Sequence, residues 1–470
     1  MDLNTAFFLF FFFPTAIILY LIVPGTRGKN LLLAAVSLVF YAFGQWQGII
    51  ILLLSFLVNY AAGALLSRGR WKKPVLAVTL ILNVALLIWF KYLNLLIGTA
   101  NSLLSLSVPA LSAAAPVGIS FFTFKAMSYV IDVYRGGGAG GFLDVLLYIS
   151  FFPQVTSGPI TRFEDFSDQL RERPMDPEQM ARGLRRFIIG LSKKLLIAGL
   201  VAEIADSAFA LGSGAGAALA WLGAVAYTVQ LYFDFSGYSD MAIGLGAVFG
   251  FVTMENFAYP YIADSLREFW KRWHISLSSW FQDYLYVPLG GGRKGRVRKC
   301  LNQFLVFLLS GIWHGASWTF LLWGAWHGVW TIAETCAGER LNSLQKSRPG
   351  RVIGHVYTLL LVCLGFVIFR ASSLDNALGM FQAMFIPAAP AAEAVLALER
   401  IAPAAWLALA AGIVGSLPVI PWLVSRASRL KELPRSCIGA VSYIAAAALF
   451  VICALAASGG NFQPFIYNQF

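Results

Sequence analysis

The chain has 470 residues, 59% of them hydrophobic and only 12% charged, with a mean hydropathy of +0.71. A soluble domain carries roughly twice that charge fraction, and the apolar residues here fall in runs of bilayer length, which excludes a soluble globular protein. The net charge of +12, from 35 Lys+Arg against 23 Asp+Glu, is gathered between apolar runs, as in membrane proteins with basic cytoplasmic loops and unlike a nucleic-acid binder.

The first residues, Met1 to Thr5, carry no positive charge, and the apolar run behind them has no small-residue cleavage pattern. That segment is therefore expected to stay as a first transmembrane helix rather than leave as a signal. Apolar runs of helical length fall at 7–24, 30–45, 48–67, 74–97, 110–131, 184–211, 217–250, 301–334, 353–370, 403–424 and 438–458. They predict an all-α polytopic protein of about eleven spans, several runs being long enough for a bent helix or a pair. With no internal repeat of the inverted-topology kind and no low-complexity linker, residues 1–470 read as a single domain. Basic stretches at Arg27 and Lys29, Arg68 to Lys73, Arg340 to Arg351 and Arg426 to Arg435 alternate with uncharged or nearly neutral ones at Gln45 to Gln47, Gly98 to Leu106 and Ala371 to Pro403. The positive-inside rule then puts both the N-terminus and the C-terminal stretch Gly459 to Phe470 outside the cytoplasm.

The middle of the chain departs from this pattern. Phe151-Phe152-Pro153-Gln154 and Ser157-Gly158-Pro159-Ile160 cannot share one regular helix, because proline lacks the N–H and clashes with the preceding turn. Irregular backbone at membrane depth persists only where protein or a water-filled cavity satisfies it. Residues 150–280 are thus expected to form re-entrant and interfacial helices enclosing a polar cavity, a central tunnel through the bundle. The five cysteines, Cys300, Cys336, Cys363, Cys437 and Cys453, form no CxxC pair and stand near no histidine at metal-ligand spacing. They suggest neither a metal site nor a disulfide framework, and are expected to pack as small hydrophobes.

Four histidines occur. His314, in Ser310-Gly311-Ile312-Trp313-His314-Gly315, follows an apolar run, and an ionisable side chain at that depth usually faces the bundle interior or a cavity. Gly311 and Gly315 would leave space beside the imidazole if the stretch is helical. The bland alternative is a buried histidine bonded to a backbone carbonyl. His274 lies in the basic-aromatic stretch Phe269-Trp270-Lys271-Arg272-Trp273-His274, which by itself suits an interfacial anchor. His327 follows His314 by less than four turns and either lines the same cavity or packs. His355 opens a late apolar run and reads as interfacial. The run from Asp283 to Gly295, containing Tyr284, Gly290-Gly291-Gly292, Arg293 and Lys294, offers backbone N–H groups and charge suited to a phosphate, or is simply a basic loop. It lacks a P-loop pattern. Asp234 and the nearby Asp240 lie in an apolar stretch and need pairing, for instance with Arg162, to offset the cost of burial.

Taken in order, several stretches resemble the membrane-bound O-acyltransferase family, and within it the bacterial polysaccharide O-acetyltransferases of the alginate type. They are Pro116 to Phe124, Ile131 to Gly136, Phe151 to Arg162, Phe233 to Asp240, Glu255-Asn256-Phe257 through Tyr261, Arg267 to Ser278, Asp283 to Gly295 and Trp313-His314-Gly315. The likeness covers most of the chain up to about residue 370. It implies that His314 is the family's intramembrane histidine and that His274 fills its second polar position. Arg272, Tyr284, Arg293 and Lys294 would bind the donor, while Asp234, Asp240, His327 and Trp313 would be structural or line the tunnel. Gln282 and Gly292 depart from the family pattern in the loop on the donor side. The resemblance implies an acetyl or other acyl thioester such as acetyl-CoA as donor substrate, with no bound cofactor. It also implies a polysaccharide acceptor, a periplasmic or extracellular acetylation partner protein, and residence in the bacterial inner membrane among its lipids. Competing readings are D-alanyl transfer to teichoic acid, lipid acylation, and, in a different class, a transporter or flippase in which His314 relays protons.

Overall fold

The structure, a computed structural model, describes residues 1–69, 71–111, 115–387, 389–427, 435–459 and 464–466. The side chain of Cys437, most of the basic stretch 426–435 and most of the C-terminal stretch 459–470 lie outside the described residues. Every regular element among those described is helical. Among the described residues, five helical stretches are long and apolar enough to cross a membrane: Trp46–Ser67, Lys72–Leu104, Pro177–Val248, Arg348–Arg370 and Gly439–Ser458. A sixth arises if Ala392–Arg400 and Pro403–Gly415, bent by 80°, count as one. Other apolar runs become shorter or more polar helices: 110–131 yields Ile119–Tyr134, and 301–334 yields the pair Arg296–His314 and Trp318–Ala337.

The chain divides into two compact units. The first holds Met1–Phe187 and Tyr238–Met254. Its core is aromatic, with Phe8, Phe12, Phe40, Phe152 and Phe249 in mutual ring contact. The two prolines act as the sequence requires. The helix Phe142–Ser150 stops before Pro153 and the next begins at Phe163. The buried non-helical stretch between them is satisfied by its own turns, with Gln154 and Val155 N–H donating to Phe151 O, and by Ser37 Oγ, which accepts from Phe152 N–H. Protein, rather than solvent, thus satisfies this irregular backbone. Buried cations in this unit are likewise partnered. Lys125 Nζ donates to Gln154 Oε1 at 3.0 Å and lies 4.5 Å from the Tyr148 ring centre. Arg173 donates to Tyr20 Oη and Asn30 Oδ1 and stacks 4.0 Å from the Phe251 ring centre.

The second unit holds Ile188–Gly237 and Glu255–Ile466. Its hairpin of Arg296–His314 and Trp318–Ala337 closes tightly because glycines face the contact. A Cβ on Gly311 would fall 2.3 Å from Phe320 O, and one on Gly324 would fall 2.5 Å from Phe307 O. Small residues at such crossings let helices approach closely where apolar burial alone gives little drive. Against this hairpin sit two short helices, Leu266–Arg272 and Ile275–Phe281. The first is anchored at its N-terminus: Ser265 Oγ accepts from Glu268 N–H, and the Glu334 carboxylate accepts from Leu266 N–H at 2.7 Å and Arg267 N–H at 3.1 Å. A carboxylate there meets both the orphan donors and the positive end of the helix dipole.

Candidate active site

The two short helices meet at His274. It takes a left-handed backbone conformation, φ 43° and ψ 55°, as the cap residue of Ile275–Phe281. A non-glycine residue held there signals a surrounding structure that over-determines it. Asn256 supplies part of that hold: its Oδ1 accepts from Ser276 N–H and Ser276 Oγ, and stands 3.2 Å from His274 Nδ1. Because this oxygen is already fixed as an acceptor by a backbone N–H, Nδ1 must carry the hydrogen. In the neutral ring Nε2 is then the acceptor nitrogen. Burial alone pushes the imidazole pKa down to about 3, so the ring is neutral at physiological pH. The Phe235 ring meets it edge-on at 4.6 Å.

His314 is the last residue of Arg296–His314, and the chain then turns extended at Gly315. Its imidazole is walled by Trp313 at 4.9 Å, Trp323 at 4.9 Å and Phe369 at 5.1 Å between ring centres. Such edge-to-face pairs contribute about 0.5–1.5 kcal/mol each and fix a ring's orientation. One expectation is corrected: Gly311 and Gly315 leave room for Phe320, which a Cβ at either position would strike, and not for the imidazole. Trp313 stands between the two histidines, 6.1 Å from His274.

His274 and His314 line the same chamber. Its volume is about 130 Å³ and its other walls are Trp270, Trp273, Leu277, Ser278, Phe281, Val306, Phe307 and Ser310. Beside it lies a wider cavity of about 470 Å³ that shares Trp270, Ser278, Val306 and Phe307, and adds Arg267, Lys271, Gln282, Tyr286 and Gln303. The helical segment 274–286 forms a septum: 274, 277 and 281 line the chamber, whereas 275, 279, 282 and 286 line the cavity. Along Arg296–His314 the lining runs from Gln303 to His314, which is roughly 16 Å at 1.5 Å per residue.

The other expected site residues lie elsewhere. Arg272 turns back on its own helix, donating from Nε and Nη2 to Glu268 Oε1 and from Nη1 to Ala258 O. Tyr284 packs on Trp280, with ring centres 5.2 Å apart. Arg293 and Lys294 are exposed in the glycine-rich turn. The N–H groups of Gly290, Gly291 and Arg293 donate to carbonyls of that same turn, which Asn302 pins through Gly291 O. These three N–H groups are therefore not open to an anion. The cations that reach the cavity are Arg267 and Lys271, four apart on Leu266–Arg272 with Trp270 on the same face. That spacing is readable in the motif from Arg267 to Ser278.

The partner of Asp234 is Lys194, in place of the expected Arg162. Asp234 Oδ2 also accepts from Ile466 N–H at 3.0 Å, while Lys194 Nζ donates to Pro464 O at 3.0 Å. Asp240 belongs to the first unit, where Arg186 Nε and Nη2 both reach its Oδ1, at 3.0 and 2.9 Å. His327 is fully buried among Trp270, Trp323 and Phe307 and lines neither cavity; neither ring nitrogen has a hydrogen-bond partner among the described residues. His355 Nδ1 lies 3.2 Å from Ala263 O.

Two imidazoles on the wall of one chamber, beside a wider cavity bordered by Arg267 and Lys271, are an arrangement that acid–base or nucleophilic chemistry could use. The membrane-bound O-acyltransferase family model matches residues 137–374. A probable alginate O-acetylase of Azotobacter vinelandii is 42% identical over 389 residues, 80% of this chain and 77% of the relative. A peptidoglycan O-acetyltransferase of Helicobacter pylori is 34% identical over 81% of this chain and 79% of the relative. A teichoic acid D-alanyltransferase of Bacillus subtilis is 29% identical over 78% and 98%. The chain belongs to the membrane-bound O-acyltransferase family and is an O-acyltransferase.

Proposed function

We propose that this protein takes an acetyl group from a cytoplasmic thioester, acetyl-CoA, and passes it across the inner membrane toward hydroxyls of an extracytoplasmic polysaccharide such as alginate. The observation that carries this reading is the shared chamber of His274 and His314 behind a cavity bordered by Arg267 and Lys271. The donor's phosphates pair with those two cations, and its thioester reaches the histidines past Trp270 and Phe307. His314 takes the proton of the acceptor hydroxyl as its oxygen attacks the acyl carbon. The C–S bond breaks, and the leaving thiolate takes the proton from the imidazolium. His274, neutral and held by Asn256, orients the reacting groups. Both termini lie outside the cytoplasm, where a partner protein completes transfer to the sugar. The 42% identity to a probable alginate O-acetylase supports the polysaccharide acceptor.

Thiol release from acetyl-CoA by the purified, detergent-solubilised protein tests this. Release by the wild type and its loss in a folded His314→Ala variant is the expected result. Equal release by both removes His314 from the chemistry.

A further inference from the structure

The chamber is small for its role. At about 130 Å³ it has less than a third of the volume of the 470 Å³ cavity that feeds it. An apolar cavity of about 150 Å³ takes a guest of six carbons. The reacting end of an acetyl thioester, counting two carbons, oxygen and sulfur, is four heavy atoms. A butyryl thioester has six and a hexanoyl thioester eight. With the sulfur toward the wider cavity and the carbonyl beside His274 and His314, the acyl tail would lie against the residues that line the chamber alone. Three of these are apolar: Trp273, Leu277 and Phe281. Leu277 and Phe281 lie one turn apart on Ile275–Phe281, both buried, and Trp273 is locked in ring contact with Phe257, Phe269 and Phe366.

We propose that Leu277 and Phe281 set the acyl length, the two side chains forming a floor that admits an acetyl group and rejects longer acids. This rests on the acyl-transfer reading above. The septum makes the assignment specific. Its other face, at Ile275, Ser279 and Gln282, looks into the donor cavity, so a floor residue can shorten or deepen the chamber without touching the groups that meet the donor's phosphates. A rigid, aromatic-backed wall discriminates by excluded volume, and one methylene in such a site is worth about 10–200-fold in kcat/KM.

The test is a series of acetyl-, propionyl-, butyryl- and hexanoyl-CoA, with thiol release measured for full-length wild type, Leu277→Ala and Phe281→Leu. The expected wild-type preference falls at least tenfold from acetyl to butyryl, and either variant raises the butyryl-to-acetyl ratio of kcat/KM by about tenfold. The ratio is taken within each variant, so it does not depend on how much of the preparation is folded. Leu277→Val, a milder change, supplies a second point if Leu277→Ala does not fold. An unchanged ratio in variants that still turn over acetyl-CoA overturns the proposal while leaving acyl transfer intact, as does wild-type use of butyryl-CoA equal to that of acetyl-CoA. Absence of release from every donor overturns acyl-CoA as the donor proposed above, and the floor with it.

Discussion

Two buried polar centres of the second unit are built on opposite plans. At Asp234 and Lys194 the protein closes every contact upon itself: the carboxylate meets the ammonium and Ile466 N–H, and the ammonium meets Pro464 O and lies 4.6 Å from the Phe465 ring centre. At His274 and His314 the protein fixes ring orientation with Asn256 and aromatic edges but keeps one side of each residue on a cavity wall. Sequence alone makes the two look alike, as ionisable residues inside apolar stretches. What separates them is whether the surroundings complete the bonding or present the group to a ligand. The first arrangement serves the fold, the second is available for chemistry.

The sharpest way to break this contrast is a pair of alanines. His314→Ala is expected to lower the turnover of acetyl-CoA by about 10²–10⁴-fold, the range for a lost general base, with little change in thermal midpoint. Asp234→Ala should do the reverse. It leaves Lys194 buried without its counter-charge, a loss of about 3–5 kcal/mol, seen as a lower midpoint and a smaller folded yield, with normal turnover per folded molecule. Replacing both members, Lys194→Met with Asp234→Leu, should recover much of the midpoint, since the penalty comes from the orphaned charge. A stable Asp234→Ala protein with lost turnover would erase the distinction between the two centres.

How much of this was legible in the sequence follows from the same distinction. The all-helical membrane class was readable because hydropathy runs report the solvent around a helix directly. The break at Pro153 and Pro159 was readable because proline's limits are local. His274 and His314 were singled out by motif, and the structure brings them to one chamber. The partner of Asp234 was not readable, because Lys194 is forty positions away and nothing local favours it over Arg162. The cations that border the cavity were not readable for a related reason: Arg293 and Lys294 stand out beside a glycine-rich turn, yet neither lines the cavity, and the N–H groups of Gly290, Gly291 and Arg293 are taken up by nearby carbonyls. Arg267 and Lys271 reach the cavity through helical phase, which a linear motif conceals.

The contrast between the helix cations and the loop cations sharpens into a smaller effect. Arg267→Gln and Lys271→Gln are each expected to raise KM for acetyl-CoA about tenfold, near 1.4 kcal/mol, with kcat largely kept. The rise should shrink for a truncated donor lacking the nucleotide phosphates, and wild-type KM should climb with salt. Arg293→Gln with Lys294→Gln should change KM by less than about twofold. A larger effect from the loop pair than from the helix pair would return donor binding to the glycine-rich turn.

The smallest expected effect belongs to His327, separated from His314 by the Trp323 ring, which touches both. It is 0% exposed, sits where a Cβ on Gly365 would come within 2.6 Å of its Nε2, and has no hydrogen-bond partner on either nitrogen among the described residues. A buried polar ring in that state costs stability, and an apolar side chain of similar size removes the cost. His327→Leu should therefore keep kcat/KM within about threefold and hold or raise the thermal midpoint, whereas the same substitution at His314 is expected to cost about 10²–10⁴-fold in turnover. If His327→Leu instead lowered kcat a hundredfold with KM unchanged, the aromatic cage around Trp323 and Trp270 would be transmitting the orientation of His327 to the chamber. The boundary of the site would then have to be drawn one ring further out.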